Sequence, residues 1–156
     1  ISDEGGDVRT LKKDDIEFSY RHSSLKDSDQ IILSAVFQLK DFSSDTLLSE
    51  RQEILASRQQ KHVDYHTTPC AGSFFKNIVL ADGSRKPAGE LLEQAGCKDL
   101  SCGDAVVFDR HANLILNNGN ASAKDIYRLS VMMRERVNTK FNIELQPEVR
   151  LIGRFD

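Results

Sequence analysis

The sequence has no tryptophan, only three cysteines, and no long apolar run in its 156 residues. Cys70, Cys97 and Cys102 are odd in number and irregular in spacing, which fits neither a disulfide framework nor a zinc pattern and leaves reduced, structural thiols as the expectation. No metal site is expected. The longest apolar stretch, residues 31–37, falls far short of the roughly 20 residues that a membrane helix needs. The opening Ile1-Ser2-Asp3-Glu4 has no signal-peptide character. A surplus of cations is lacking too: 21 Lys and Arg stand against 24 Asp and Glu, the opposite of a nucleic-acid footprint. Neither a dinucleotide-binding glycine fingerprint nor a P-loop occurs. The expectation is a cytoplasmic protein with no nucleic-acid partner and no membrane contact.

What is present suffices for one ordinary domain, or one domain and a piece of another. The chain starts without Met, in what reads as mid-domain, so a fragment is expected. Residues 8–11 suit a short strand. The β-branched and aromatic residues of 31–39 alternate Leu33, Ala35, Phe37 and Leu39 against Ile32, Ser34, Val36 and Gln38, which reads as a half-buried or central strand. Ser43-Ser44-Asp45 offers an N-cap. Leu47, Leu48, Ile54 and Leu55 then recur at helical spacing over residues 45–60. From 61 to 81 the periodicity stops, and 62–73 reads as an irregular connection marking a boundary.

Beyond it, Pro87 is placed to open a helix with Leu91, Leu92 and Ala95 inward and Gly96 as its stop. Residues 105–108 and 114–116 read as strands flanking Asp109-Arg110-His111. Ser122-Ala123-Lys124-Asp125 resembles a capping box opening a helix that carries Ile126, Leu129, Met133 and Val137. Two last strands are expected at 142–146 and 148–152. Helices and strands mixed without a βαβ repeat make the fold class α+β.

The most unusual stretch is Ala71-Gly72-Ser73-Phe74-Phe75-Lys76-Asn77. A Gly-Ser step lets backbone approach a ligand and exposes a hydroxyl, with a cation and an amide close behind, which suits phosphate or sugar. Ser73 as an ordinary turn residue, with the two Phe in the core, accounts for the same residues. Glu148 can equally be a solvated carboxylate, Lys61 a helix-terminal lysine favoured by the dipole, and Asn77 a loop residue bonded to its own backbone. A solvent-exposed or turn-capping role for His111 is preferred to a catalytic one.

Five segments in order tip the balance. They are Tyr20-Arg21-His22-Ser23-Ser24-Leu25-Lys26, Gly72-Ser73-Phe74-Phe75-Lys76-Asn77, Ala88-Gly89-Glu90-Leu91-Leu92-Glu93-Gln94-Ala95-Gly96, His111-Ala112-Asn113-Leu114-Ile115-Leu116-Asn117 and Leu145-Gln146-Pro147-Glu148-Val149-Arg150-Leu151-Ile152-Gly153. Together they resemble the successive motifs of the UDP-N-acetylenolpyruvoylglucosamine reductases. The resemblance implies an oxidoreductase of peptidoglycan synthesis in which NADPH reduces bound FAD and a hydride then reaches C3 of the enolpyruvyl ether on UDP-N-acetylglucosamine, giving UDP-N-acetylmuramate.

On the same resemblance Ser73 donates the proton to C2 and Glu148 assists. Lys61, Asn77 and Arg150 contact the substrate, and Arg58 faces the cofactor. No chemical step falls to Tyr20 or Arg21. The resemblance divides the chain into residues 1–42, the end of the second FAD-binding subdomain; 43–67, a helix and linker; and 68–156, a compact, mixed substrate-binding C-terminal domain. The flavin-binding half should precede Ile1, so FAD would be bound mostly by that half and the isolated chain should be inactive. Ile78 stands where the family continues with Pro, and no tyrosine-bearing insertion lies between Leu39 and Arg58, which points to the shorter, second type of the enzyme. Two other readings remain: a non-catalytic UDP-sugar-binding module on the same fold, and a general flavin oxidase, which would not require the Ser73 and Glu148 motifs.

Overall fold

The computed structural model describes residues 1–3, 5–61, 63–64 and 67–154, with Lys61 described through its backbone only. The chain divides into two compact units, Ile1–Ser44 and Asp45–Asp156.

The first unit has little regular structure. Strands β1 (Phe18–Ser19) and β2 (His22–Ser23) form a hairpin whose turn holds Arg21 at φ 59°, with the Lys26 ammonium donating to the Arg21 carbonyl at 2.8 Å. The strand expected at 8–11 reduces to a bridge between Val8 and Ser2. The strand expected at 31–39 is also absent. Ile31 pairs with Ser2 through two 2.8 Å backbone bonds, and from Ile32 to Phe42 the backbone is irregular, with Val36 and Leu39 exposed. β-branched residues make a strand only where a neighbouring strand takes their backbone groups and apolar faces. Of residues 31–39 only Ile31 meets such a neighbour.

Helix α1 (Ser44–Lys61) lies where the N-cap and the leucine spacing put it, but Leu47, Leu48, Ile54 and Leu55 are all exposed. The second unit is built on a four-stranded antiparallel sheet of β3 (Cys70–Ser73), β6 (Ser101–Cys102), β7 (Ala105–Val107) and β8 (Leu114–Asn117), in the order β3-β8-β7-β6. β3 falls inside the stretch expected to be irregular. Only four residues long, and with Gly72 at φ 78°, it is too short and too glycine-bent to show alternation in the sequence. A second hairpin, β4 (Ile78–Val79) with β5 (Arg85–Lys86), leads through Pro87 into α2 (Ala88–Gln94), which stops at Gly96 with φ 72°. Helix α3 (Ala123–Phe141) opens on the expected capping box, in which the Asp125 amide donates to the Ser122 hydroxyl while the Asp125 carboxylate accepts from the Ser122 amide.

The core lies between one face of this sheet and the helices α2 and α3. Leu91, Leu92, Leu129, Met133 and Val137 are wholly buried there with Ala105, Phe75 and Leu145. Strand alternation sends Ile115 into this core and Leu114 and Leu116 into a smaller cluster with Val63 and Phe108. Arg136 and Lys140 on α3 donate to the carbonyls of Gly96 and Gln94, at 2.6 Å each, and so satisfy the exposed end of α2.

The two strands expected at 142–146 and 148–152 do not form. Asn142 takes a left-handed conformation (φ 53°) and ends α3, Leu145 drops into the core, and Pro147 makes a single bridge to Phe75. Pro147 has no N–H to extend a ladder, and Leu151 and Ile152 beyond it are exposed.

Candidate functional site

Ser73 closes strand β3, and its surroundings follow from how the next three residues are held. The β3–β8 register slips by one between Cys70↔Leu116 and Ser73↔Leu114, a bulge that bends the strand at Gly72. Past the bulge, the Phe74 amide donates to the Asn113 carbonyl (2.8 Å) and the Phe75 amide to Asn113 Oδ1 (2.9 Å). Asn113 Nδ2 returns a bond to the Phe75 carbonyl (2.8 Å). On the opposite edge the Lys76 amide donates to the Gln146 carbonyl (2.9 Å) and the Glu148 amide to the Phe74 carbonyl (2.8 Å). Residues 74–76 are therefore bonded on both sides, with Phe74 and Phe75 anchored in the core below.

A cavity of about 420 Å³ opens beside this segment, lined in part by Ser73, Asn77, Gly89, Glu90, Arg110 and His111. Asn77 lines it from the base of the β4–β5 hairpin. Its Oδ1 accepts the Ala88 amide (3.1 Å), so its amino group is the part left to meet a ligand. His111 holds the turn between β7 and β8, where its Nδ1 accepts the Asn113 amide (3.2 Å), and it packs against Gly89, at which a Cβ would come within 3.2 Å of Cε1 of the ring. This is the turn-capping one of the two structural roles expected from the sequence, on a residue that also lines the cavity. The Arg110 guanidinium lies 4.8 Å from the centre of the Phe108 ring and donates to the Gln60 carbonyl (2.8 Å). Glu90 accepts from Gln94, while Glu93, also on the wall, pairs with Lys98. The lining is donor-rich near Ser73 and acidic along α2, suited to a hydroxylated and carbonyl-bearing ligand whose anionic part lies toward Arg110.

Residues 61–152 match the family described as UDP-N-acetylenolpyruvoylglucosamine reductase, C-terminal domain. The chain belongs to this family. It is 38% identical to the UDP-N-acetylenolpyruvoylglucosamine reductase of Synechococcus sp. (strain JA-3-3Ab) over 156 residues, 100% of this chain and 48% of that protein. The reductase of Agathobacter rectalis is 36% identical over 151 residues, 96% of this chain and 46% of its own length. The crystal structure of UDP-N-acetylenolpyruvylglucosamine reductase (MurB) from Thermus caldophilus superposes with a TM-score of 0.52 at 32% identity, over 71% of this chain and 37% of the other. The chain spans about half the length of the curated relatives it matches. The α+β class expected from the sequence is the class of this reductase domain.

Of the reductase residues assigned by resemblance, Ser73 and Asn77 line one cavity, and Glu148 is tied by its amide to the residue after Ser73. The half-buried Glu148 and the exposed Arg150 follow the Pro147 bridge. Neither lies at the strand entrance expected for Glu148. Arg58 is exposed on α1, and the Lys61 side chain lies outside the described residues. Sequence reasoning missed Arg110 and the pair Glu90 and Glu93 as cavity residues, and Asn113 as the clamp on the serine segment. Its one available signal was a polar amide inside the apolar run 112–116, where only a side chain with a satisfied partner is tolerated.

A flavin asks for an apolar slot for its ring system and for amides or cations around its diphosphate. The cavity beside Ser73 presents two carboxylates along one wall and a single guanidinium, and Arg58 does not line it. These residues do not compose a flavin site by themselves. Among the described residues no group of three His, Cys, Asp or Glu side chains is placed to hold a metal ion, and no helix is long and apolar enough to cross a membrane.

Proposed function

We propose that this chain forms the substrate side of a UDP-N-acetylenolpyruvoylglucosamine reductase, a cytoplasmic flavoprotein of cell-wall synthesis that consumes NADPH. Its own residues supply the proton for saturation of the enolpyruvyl double bond. The observation that carries the reading is the double tether of residues 74–76, which brings the backbone of Glu148 to the residue after Ser73 although 75 positions separate Ser73 from Glu148 in the chain.

Hydride addition at C3 of the enolpyruvyl ether leaves an electron pair at C2, delocalised into the neighbouring carboxylate. C2 takes its proton from the Ser73 hydroxyl, and the resulting alkoxide regains a proton from solvent. Ser73 is exposed at the cavity rim, so its hydroxyl can reach a ligand. Glu148 contributes by holding the hydroxyl or its water in place. Asn77, with its carbonyl oxygen occupied by the Ala88 amide, donates to an acceptor on the substrate. Lys61 and Arg150 are assigned to the anionic groups of the UDP-sugar and Arg58 to the cofactor held mainly by the other half of the protein. The substrate domain of this reading is residues 68–156, following a segment of flavin subdomain at 1–42 and a helix and linker at 43–67.

The test is substrate-dependent NADPH oxidation by the full-length protein. Formation of UDP-N-acetylmuramate in step with NADPH loss is expected. Binding of the enolpyruvyl substrate without any turnover would instead favour the non-catalytic UDP-sugar module.

A further inference from the structure

We propose that Asn113 is the positioning residue of the proton-donor segment, fixing Ser73 and the Glu148 segment in register. The proposal rests on the reading of Ser73 as proton donor. In a regular strand the backbone groups of alternate residues face opposite neighbours. Phe75 sends both its N–H and its C=O to the side of Asn113, which stands in the β7–β8 turn just before β8, beyond the last paired residue Leu114. The Asn113 side chain stands in for the missing strand neighbour, accepting from the Phe75 amide through Oδ1 and donating to the Phe75 carbonyl through Nδ2, while its own carbonyl takes the Phe74 amide.

Asn113 is 2% exposed, so these bonds have no water to replace them. Its backbone amide is in turn held by His111 Nδ1. Only an uncharged amide supplies both an acceptor and a donor at this length. Asp lacks the donor and places a carboxylate against the Phe75 carbonyl. Ala leaves the N–H and the C=O of Phe75 unpaired. Either change removes both bonds that fix the Phe75 peptide groups while the backbone bonds of Phe74 and Lys76 remain, so the register of the segment carrying Ser73 and bonded to Glu148 is loosened by a small displacement rather than lost.

The test uses the full-length protein and a double-mutant cycle. Asn113→Asp and Asn113→Ala are each expected to lower kcat by about a hundredfold, the scale of a small misplacement of a reacting group, with KM changed only a few-fold. In a Ser73→Ala background the same substitutions should lower kcat by less than about threefold, because the group they position is already gone. Additive losses, or an unchanged kcat, would overturn the proposal. Amide exchange in the unmodified protein needs no variant and stands even if both fail to fold: the Phe75 amide is expected to exchange as slowly as the buried amide of Phe108, which is bonded to the Leu114 carbonyl. Exchange at the rate of exposed loop amides would overturn the clamp. Wild-type turnover in Ser73→Ala alone would overturn the proton-donor reading and remove the role of Asn113 with it, a result visible in the single variant and distinct from additivity.

Discussion

The Glu148 amide nitrogen lies 2.8 Å from the Phe74 carbonyl oxygen, and that bond, with the one from the Lys76 amide to the Gln146 carbonyl, joins the two parts of the chain to which the proposed proton chemistry is assigned. Its geometry is set from beneath, since Phe74 and Phe75 are buried against α2 and α3 and cannot shift without opening the core. The site thus depends on packing that lies behind it.

The first prediction concerns that packing. Leu129 is fully buried on α3 among Leu91, Leu92 and Met133, and Leu129→Ala removes buried methyl groups and leaves a cavity. A loss of about 2–5 kcal/mol is expected, measured by denaturant unfolding of the full-length protein at unchanged slope. A loss below about 1 kcal/mol would mean that the helix packs loosely on the sheet.

The helix carrying Leu129 and the sheet hairpin are the most legible parts of the fold. The capping box and the heptad-like run of 126, 129, 133 and 137 prescribe α3, and two short apolar runs around Asp109-Arg110-His111 prescribe β7 and β8. The run 31–39 shows why the rest was not legible. Alternation states that a segment can be a strand, but whether it becomes one depends on a neighbour, and of residues 31–39 only Ile31 has one. At 142–152 the left-handed Asn142 and the bridge at Pro147 decide the path, and neither is periodic. The candidate site divides in the same way. Ser73, Asn77 and Glu148 were marked by motif, whereas Arg110, Glu90, Glu93 and Asn113 enter through the folded neighbourhood.

The second prediction is one of pH. The hydrogen bond from the Ser122 hydroxyl, and then that from the Ser122 amide, hold the Asp125 carboxyl below its ordinary range. A carboxylate whose folded pKa is lowered contributes stability above its unfolded value, and that stability disappears as pH falls through the folded value. Ser122→Ala should therefore lower the unfolding midpoint at neutral pH by an amount corresponding to about 1 kcal/mol for a lost N-cap, with the difference from wild type shrinking as the solution is acidified below the carboxylate range. A difference that grows on acidification would contradict the capping box.

Thiol reactivity gives the third. Burial pushes the Cys97 thiol up, against a smaller opposing pull from Arg136, and the residue is fully enclosed. Cys70 and Cys102 are half-buried free cysteines. Under native conditions a maleimide should label Cys70 and Cys102 and spare Cys97, with all three labelled once the protein is unfolded. Native labelling of Cys97 at the rate of the other two would show that the α2–α3 contact opens.

The most direct test of the central claim is turnover of the enolpyruvyl substrate by the full-length protein carrying Ser73→Ala. The account predicts a fall in kcat of about 10²–10⁴-fold, the usual worth of a positioned proton donor, with a near-normal KM and an unchanged unfolding midpoint, because Ser73 is exposed and its removal leaves the core intact. Turnover equal to that of the unmodified protein would contradict it, and the cavity beside β3 would then be a binding site with no part in the chemistry.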